Sequence, residues 1–302
     1  MWWLRLAIVA MAASFLASGP ALTQETAATP ETATTVDPLT VTAPKKLSPP
    51  EMEALASKFA RSLGQPSRLG QVSRWMTQPC PQAIGLPDAF DRYVEARITA
   101  IAGEVGAPPA KAACRANNIF VLFTDKPQQV VDAVEQRRAW LLGFHYAAQT
   151  RRLTRFEGPI QAWYATATGG RAPVTAELDE EFRQMPGGAV GSRISEGLAS
   201  HIVAVLVVVD SSRVGGQSIG RIAEEIALLS LARAPGQDDC HALPTILDAR
   251  KEACPQSAAL DVLSDADRAY LKALYAADPT LLPSFQQGAI TLGVKREITG
   301  SR

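Results

Sequence analysis

Two adjacent carboxylates, Glu224 and Glu225, interrupt the otherwise apolar stretch Ile219–Leu231. The stretch predicts a helix, and a carboxylate buried in it is unfavourable unless it is paired or hydrogen-bonded. Two roles therefore compete. The pair can take part in acid–base or metal chemistry, or it can lie at an exposed edge and bond to local backbone or to an arginine such as Arg221 or Arg233.

Histidine is the second residue type that could serve chemistry, and the chain contains three: His145, His201 and His241. Zinc sites are built from histidine, cysteine and carboxylate side chains. A zinc site formed by His201, Glu224 and His241 is the one set that we consider, but its spacings match no established motif. We therefore expect no metal and no cofactor, and keep zinc on this set as the alternative.

The four cysteines are Cys80, Cys114, Cys240 and Cys254. An even number of cysteines in an exported chain favours structural disulfides, and four cysteines allow three connectivities. Proximity in the sequence favours Cys80–Cys114 and Cys240–Cys254. The chain has no Cys-x-x-Cys pair, so a thioredoxin-like redox site is not indicated.

The N-terminal residues predict export. Residues 1–23 combine a charged start, an apolar run at Leu6–Ala17 and an exit of small residues, which is the pattern of a secretory signal. The apolar run is shorter than the roughly 20 residues that a spanning helix needs. We therefore expect a periplasmic or secreted protein without a stable membrane span after the signal is cleaved.

Composition divides the rest of the chain in two. Residues 24–68 are rich in Thr, Ala and Pro and predict a disordered tether, in which residues 50–63 have the pattern of a short helix. Residues 69–302 predict a single globular domain. The 302 residues include 30 basic and 30 acidic side chains, and this balance argues against a nucleic-acid partner.

Hydrophobic periodicity predicts the elements of the domain. Runs of apolar residues indicate strands, and apolar residues at three- and four-residue spacing indicate helices. We expect an α+β fold, or a three-layer α/β fold, in which a mixed sheet packs against helices. The expected strands are 72–76, 118–123, 160–168 and 202–209, and the expected helices are 90–105, 127–134, 218–232 and one that begins at Ser264.

Four segments occur in an order that resembles a family of bacterial secreted domains of unknown function. They are Asn118–Phe123, the helix with Glu224 and Glu225, Pro244–Asp248, and Leu263–Tyr275. That family is itself similar to the metzincin-type zinc proteases, and the resemblance extends loosely over residues 73–288. It implies a zincin-like scaffold with a strand-rich half, an active-site helix and a late helix that ends in Leu-Tyr.

The resemblance also assigns positions to the zinc-binding motif His-Glu-x-x-His, whose glutamate is the general base in proteases of this type. The first histidine falls on Glu224, the base on Glu225 and the second histidine on Leu228. Leucine cannot bind a metal. The resemblance therefore implies a degenerate scaffold, and we do not expect conventional zinc-peptidase activity.

Three hypotheses follow for function. The leading one is a non-catalytic domain of the cell envelope that binds a peptide or a protein in the former cleft. The alternative is an unorthodox metal-dependent hydrolase with Glu225 as general base, and with Glu224 and His201 or His241 as metal ligands. The third is a purely structural envelope domain, in which Glu224 and Glu225 affect only stability.

Overall fold

The computed structural model describes residues 48–67, 69–109, 113–114, 116–143, 153–171, 192–234 and 238–300. The predicted signal, the predicted tether up to residue 47, and His145 lie outside these ranges. Within them, no helix combines the length and the apolar character that crossing a membrane requires.

The described residues form a mixed α/β fold with six helices and five strands. The helices are α1 (Pro49–Leu63), α2 (Asp88–Glu104), α3 (Pro127–Arg138), α4 (Ile219–Leu231), α5 (Asp265–Ala276) and α6 (Pro283–Gly300). The strands are β1 (Arg74–Trp75), β2 (Pro81–Ile84), β3 (Ile119–Thr124), β4 (Ile160–Gly169) and β5 (Ala199–Asp210). Two short 3-10 turns occur at Ala139–Leu142 and Ile246–Asp248.

Strand β5 is at the centre of a mixed sheet. It pairs antiparallel with β4 along nearly its whole length, and parallel with both β1 and β3. Because β4 covers one edge of β5, β1 and β3 share the other edge, with β1 beside His201 and Ile202 and β3 beside residues 205–210. Strand β2 extends the sheet beyond β3 in parallel.

Helices and loops cover both faces of β5, as its continuous apolar run predicts. All of its residues are buried. Val205 and Val207 belong to the main core with α4, whereas Leu206 and Val208 pack with Trp163 on the opposite face. The sheet therefore provides the rigid layer against which α4 lies.

Helix α1 belongs to the core. Phe59 and Leu63 are fully buried within the main cluster, and Glu53 pairs with Lys295 of α6 at 2.8 Å. Helix α1 is thus part of the folded domain, although composition placed the start of that domain at Leu69. Composition averages over the segment, whereas the buried positions Ala56, Phe59, Ala60 and Leu63 recur at helical spacing.

The cysteines pair as predicted. Cys80 and Cys114 join the start of β2 to the segment before β3, and Cys240 and Cys254 close the loop that contains the second 3-10 turn. Each disulfide thus closes a loop next to a regular element. By limiting the freedom of the unfolded chain, such cross-links stabilise the folded state.

Helix α5 begins with the capping box that the sequence predicts. The Ser264 Oγ accepts a hydrogen bond from the Asp267 N–H at 3.0 Å, and the Asp267 carboxylate accepts one from the Ser264 N–H at 3.0 Å. The carboxylate also accepts a hydrogen bond from the N–H of Ile246 at 2.9 Å. Asp267 thereby connects the start of α5 to the 3-10 turn.

We predict that Asp267→Asn changes how stability depends on pH. Burial raises the pKa of Asp267 to about 6, above its value in the unfolded chain, so the folded state binds the proton more tightly. The cost of ionising Asp267 is therefore fully present above pH 6 and is relieved as the pH falls towards 4. We therefore compare the free energy of unfolding of the Asn variant with that of wild type. The variant's value minus the wild-type value should be about 2 kcal/mol smaller at pH 4.5 than at pH 7. Urea unfolding at both pH values measures this difference.

The substitution itself keeps an acceptor oxygen for the N–H groups of Ile246 and Ser264. Other acids, such as Asp248, whose pKa is lowered, lose their stabilising effect at low pH in both proteins, so the difference between variant and wild type isolates Asp267. An equal difference at both pH values would contradict the prediction.

Candidate functional site

The candidate site is the helix α4, which presents the two carboxylates. Ser218, the residue before the helix, caps its start: the Ser218 Oγ accepts a hydrogen bond from the N–H of Arg221 at 3.2 Å. Its residues from Ile222 to Leu231 are all buried. Both carboxylates therefore lie inside the protein and not at an exposed edge, and each needs a partner there.

Glu224 uses both carboxylate oxygens. Oε1 forms an ion pair with Arg97 of α2, and Oε2 accepts a hydrogen bond from the N–H of Leu263 at 2.8 Å. Arg268 of α5 places a second guanidinium 3.9 Å from Oε2. The Glu224 side chain is only 3% exposed. It thus connects α4 to α2 and to the start of α5.

Glu225 is bonded in a similar way to a different arginine. Both of its oxygens pair with the two terminal nitrogens of Arg250, in the fork geometry that matches a carboxylate. The Glu225 side chain is 4% exposed. Burial raises the pKa of Glu225, and the positive charges of Arg250, Arg221 and Lys251 oppose that shift. Both oxygens are thus held by a single guanidinium inside the protein.

The position one turn after Glu224 also belongs to the interior. Leu228 is fully buried in the main core. Two residues later, the carbonyl oxygen of Ser230 accepts a hydrogen bond from the Trp75 indole at 2.8 Å. This face of α4 is therefore a packing surface.

The two described histidines have separate partners. His201 lies on β5, and its Nε2 bonds to the carbonyl oxygen of Gly170 at 2.9 Å. The Nδ1 of His241 bonds to Asp248 at 2.9 Å, and Asp248 also accepts hydrogen bonds from the His241 N–H and the Lys251 ammonium. Burial lowers the pKa of both histidines.

The structure does not assemble the alternative metal set. In the described part of the chain, no three His, Cys, Asp or Glu side chains are placed to hold a metal ion. His201, Glu224 and His241 each take part in a different hydrogen-bond network.

The arginine partners of Glu224 and Glu225 are not indicated by any local sequence signal. Arg97 lies 127 residues from Glu224, and Arg250 lies 25 residues from Glu225.

The outer edges of β2 and β4 differ. At β2, Pro81 has no N–H, and the N–H of Ala83 donates to the Glu95 side chain at 2.9 Å. Among the described residues, β4 pairs with β5 alone. The turn at Gly143 lies against Tyr164, where an added Cβ would come within 2.1 Å of the Tyr164 carbonyl oxygen. Beyond this turn, Thr168 is exposed.

Comparison with protein-family models, with curated proteins and with solved structures found no match to this chain.

Proposed function

We propose that this protein is a non-catalytic domain of the bacterial cell envelope that binds a peptide or a protein on a degenerate zinc-protease-like scaffold. One observation carries the proposal: both carboxylates at the motif positions, Glu224 and Glu225, are buried and fully paired with Arg97 and Arg250. The hydrolase alternative needs the Glu225 carboxylate to reach water as a general base. A zinc protease of the resembled type needs a second histidine at the position of Leu228, which is part of the core.

The proposed binding mode is the addition of an extended segment to the outer edge of β4. An exposed strand edge offers backbone N–H and C=O groups to a partner strand. The β2 edge is unsuitable because Pro81 and the bonded N–H of Ala83 leave no donor there. We therefore propose the β4 edge beyond the Gly143 turn, at 166–169, where Thr168 is exposed.

The proposed location is the periplasm or the exterior of a bacterial cell. The signal-like residues 1–23 support export, and the two disulfides are stable in an oxidising compartment. Such a compartment also offers extended peptide segments as partners.

The first test separates the binding protein from the hydrolase. The oxidised protein is loaded with zinc and dialysed, its metal content is measured by elemental mass spectrometry, and its activity is measured on unfolded casein. We expect far less than one zinc per chain and no cleavage. About one tightly held zinc per chain, together with casein cleavage that Glu225→Gln abolishes, would contradict the proposal.

The second test addresses the β4 edge. Phage-displayed random decapeptides are selected on the oxidised protein, and the selected peptide is titrated against variants. Successive N–H groups of a strand point to opposite edges. Of the two variants Ala167→Pro and Thr168→Pro, one therefore removes an N–H that points away from β5 and leaves the N–H groups that face β5 in place. We expect that folded variant to lose most peptide affinity, while Thr168→Val, which keeps its N–H, binds as wild type does. Equal binding by wild type and both proline variants would exclude the β4 edge.

A further inference from the structure

The disulfide between Cys80 and Cys114 joins a buried residue to an exposed one. Cys80 is 5% exposed, whereas Cys114 lies at the surface, where its Sγ accepts a hydrogen bond from the Gln78 side-chain amide at 3.6 Å. In the described part of the segment 108–117, which contains Cys114, no residue forms a backbone–backbone hydrogen bond. Among the described residues, Cys114 is therefore attached to the start of β2 through its sulfur alone.

Cys80 is held in place by bonds other than the disulfide. Its N–H donates to the Oδ1 of Asn118 at 2.7 Å, and its carbonyl oxygen accepts hydrogen bonds from the N–H groups of Asn118 and Ile119 at 3.0 and 3.2 Å. The Nδ2 of Asn118 donates to the carbonyl oxygen of Gln78 at 2.9 Å. Opening the disulfide would thus free Cys114, while the junction of β2 with β3 stays bonded.

The cysteines of the second disulfide are held together by a buried network. Cys254 is fully buried, and its N–H donates to the carbonyl oxygen of Lys251 at 2.9 Å. The Lys251 ammonium bonds to Asp248 at 2.8 Å. Asp248 in turn accepts two hydrogen bonds from His241, the residue after Cys240. The two sides of this disulfide are therefore joined through Lys251 and Asp248 as well as through sulfur.

These differences determine how easily each disulfide is reduced. Reduction requires that a thiol reach one of the two sulfurs. It is opposed when the folded protein keeps the two released thiols close together, because each then has a high effective concentration at the other. After reduction, the Lys251–Asp248 network would keep Cys240 beside Cys254. In the described part of the chain, no comparable bond would keep Cys114 beside Cys80.

We propose that Cys80–Cys114 is a redox switch, which a dithiol reductant opens while the domain stays folded, and that Cys240–Cys254 is a structural disulfide. A thiolate of the reductant attacks the Cys114 sulfur, the sulfur–sulfur bond breaks, and the Cys80 sulfur leaves as a thiolate that takes a proton from water. The second thiol of the reductant then displaces Cys114 from the mixed disulfide. The reductant ends as a disulfide, and the protein has gained two electrons and two protons.

The switch detaches the connection between α2 and β3 from the start of β2. It involves neither the carboxylates of α4 nor the β4 edge, so the inference does not rest on the proposed function.

The experiment equilibrates the oxidised protein in buffers of graded ratio of reduced to oxidised dithiothreitol. Free thiols are blocked with N-ethylmaleimide, and mass spectrometry of the peptides measures the reduced fraction of each cysteine. We expect Cys80 and Cys114 to be half reduced at a ratio roughly tenfold lower than the ratio that Cys240 and Cys254 require. At the lower ratio, the far-UV circular dichroism spectrum should match that of the oxidised protein.

Two double variants complete the test. Cys80→Ala with Cys114→Ala mimics the open switch and should give the far-UV spectrum of wild type. Cys240→Ala with Cys254→Ala is the matched control, in which the remaining disulfide should be half reduced at the wild-type ratio. Reduction of both disulfides at the same ratio, or of Cys240–Cys254 first, would overturn the proposal. Loss of the folded spectrum when Cys80–Cys114 is opened, by reduction or by substitution, would also overturn it.

Discussion

Replacing Glu225 by Gln should lower the free energy of unfolding by about 3–5 kcal/mol, because it leaves the Arg250 guanidinium with an unpaired charge against a buried side chain. Removing one partner of a buried ion pair costs far more than the intact pair contributes. Urea unfolding followed by tryptophan fluorescence measures this change. We expect Arg250→Met to be destabilising for the complementary reason.

The double variant distinguishes a paired charge from a packing defect. Glu225→Leu combined with Arg250→Met removes both charges and fills the space with apolar atoms, so we expect it to recover most of the loss. Glu252→Gln, at an exposed position two residues after Arg250, is the matched control and should stay within about 0.5 kcal/mol of wild type. A double variant no more stable than the single ones would contradict the ion-pair interpretation.

Phe59→Ala should be equally damaging, by about 3–5 kcal/mol, although Phe59 lies in the segment that composition assigns to a tether. The ring is fully buried and contacts the rings of Tyr270 and His241 edge-on. Removing a buried aromatic ring forfeits its transfer free energy and leaves a cavity. Chemical denaturation provides the measurement.

The neighbouring residue supplies the control for Phe59. Lys58 lies on the exposed face of the same helix, so Lys58→Ala tests helix propensity without loss of packing and should have little effect. If Phe59→Ala were as mild as Lys58→Ala, α1 would not contribute to the cooperative core.

The features that the sequence predicts well are those fixed by local chemistry. The strand β5 is recognisable because both of its faces are apolar. The capping box of Ser264 and Asp267 depends on residue types three positions apart. The disulfide pairing agrees with proximity in the sequence because each pair closes a short loop. Each of these features is determined within one segment or between neighbouring segments.

The features that the sequence does not indicate depend on distant contacts. The short strand β2 contains Pro81, and proline argues against a central strand. The helix α6 contains Gly288 and Gly293, which weaken a helical prediction. Gly293 is needed there because an added Cβ would come within 2.6 Å of Ala273. The sequence likewise leaves two roles open for Glu224 and Glu225, because their arginine partners become neighbours only in the folded chain.

The unequal edges of the sheet set a limit on self-association. Growth of a filament by strand pairing needs two open edges on every subunit, so that each copy can join a neighbour on both sides. Here the β2 edge lacks the donors for such a contact, since Pro81 has none and Glu95 occupies that of Ala83. Of these two edges, a molecule can therefore use only β4 to pair with another copy. Among the described residues, two copies joined through β4 would form a pair that pairing at the β2 edge could not extend.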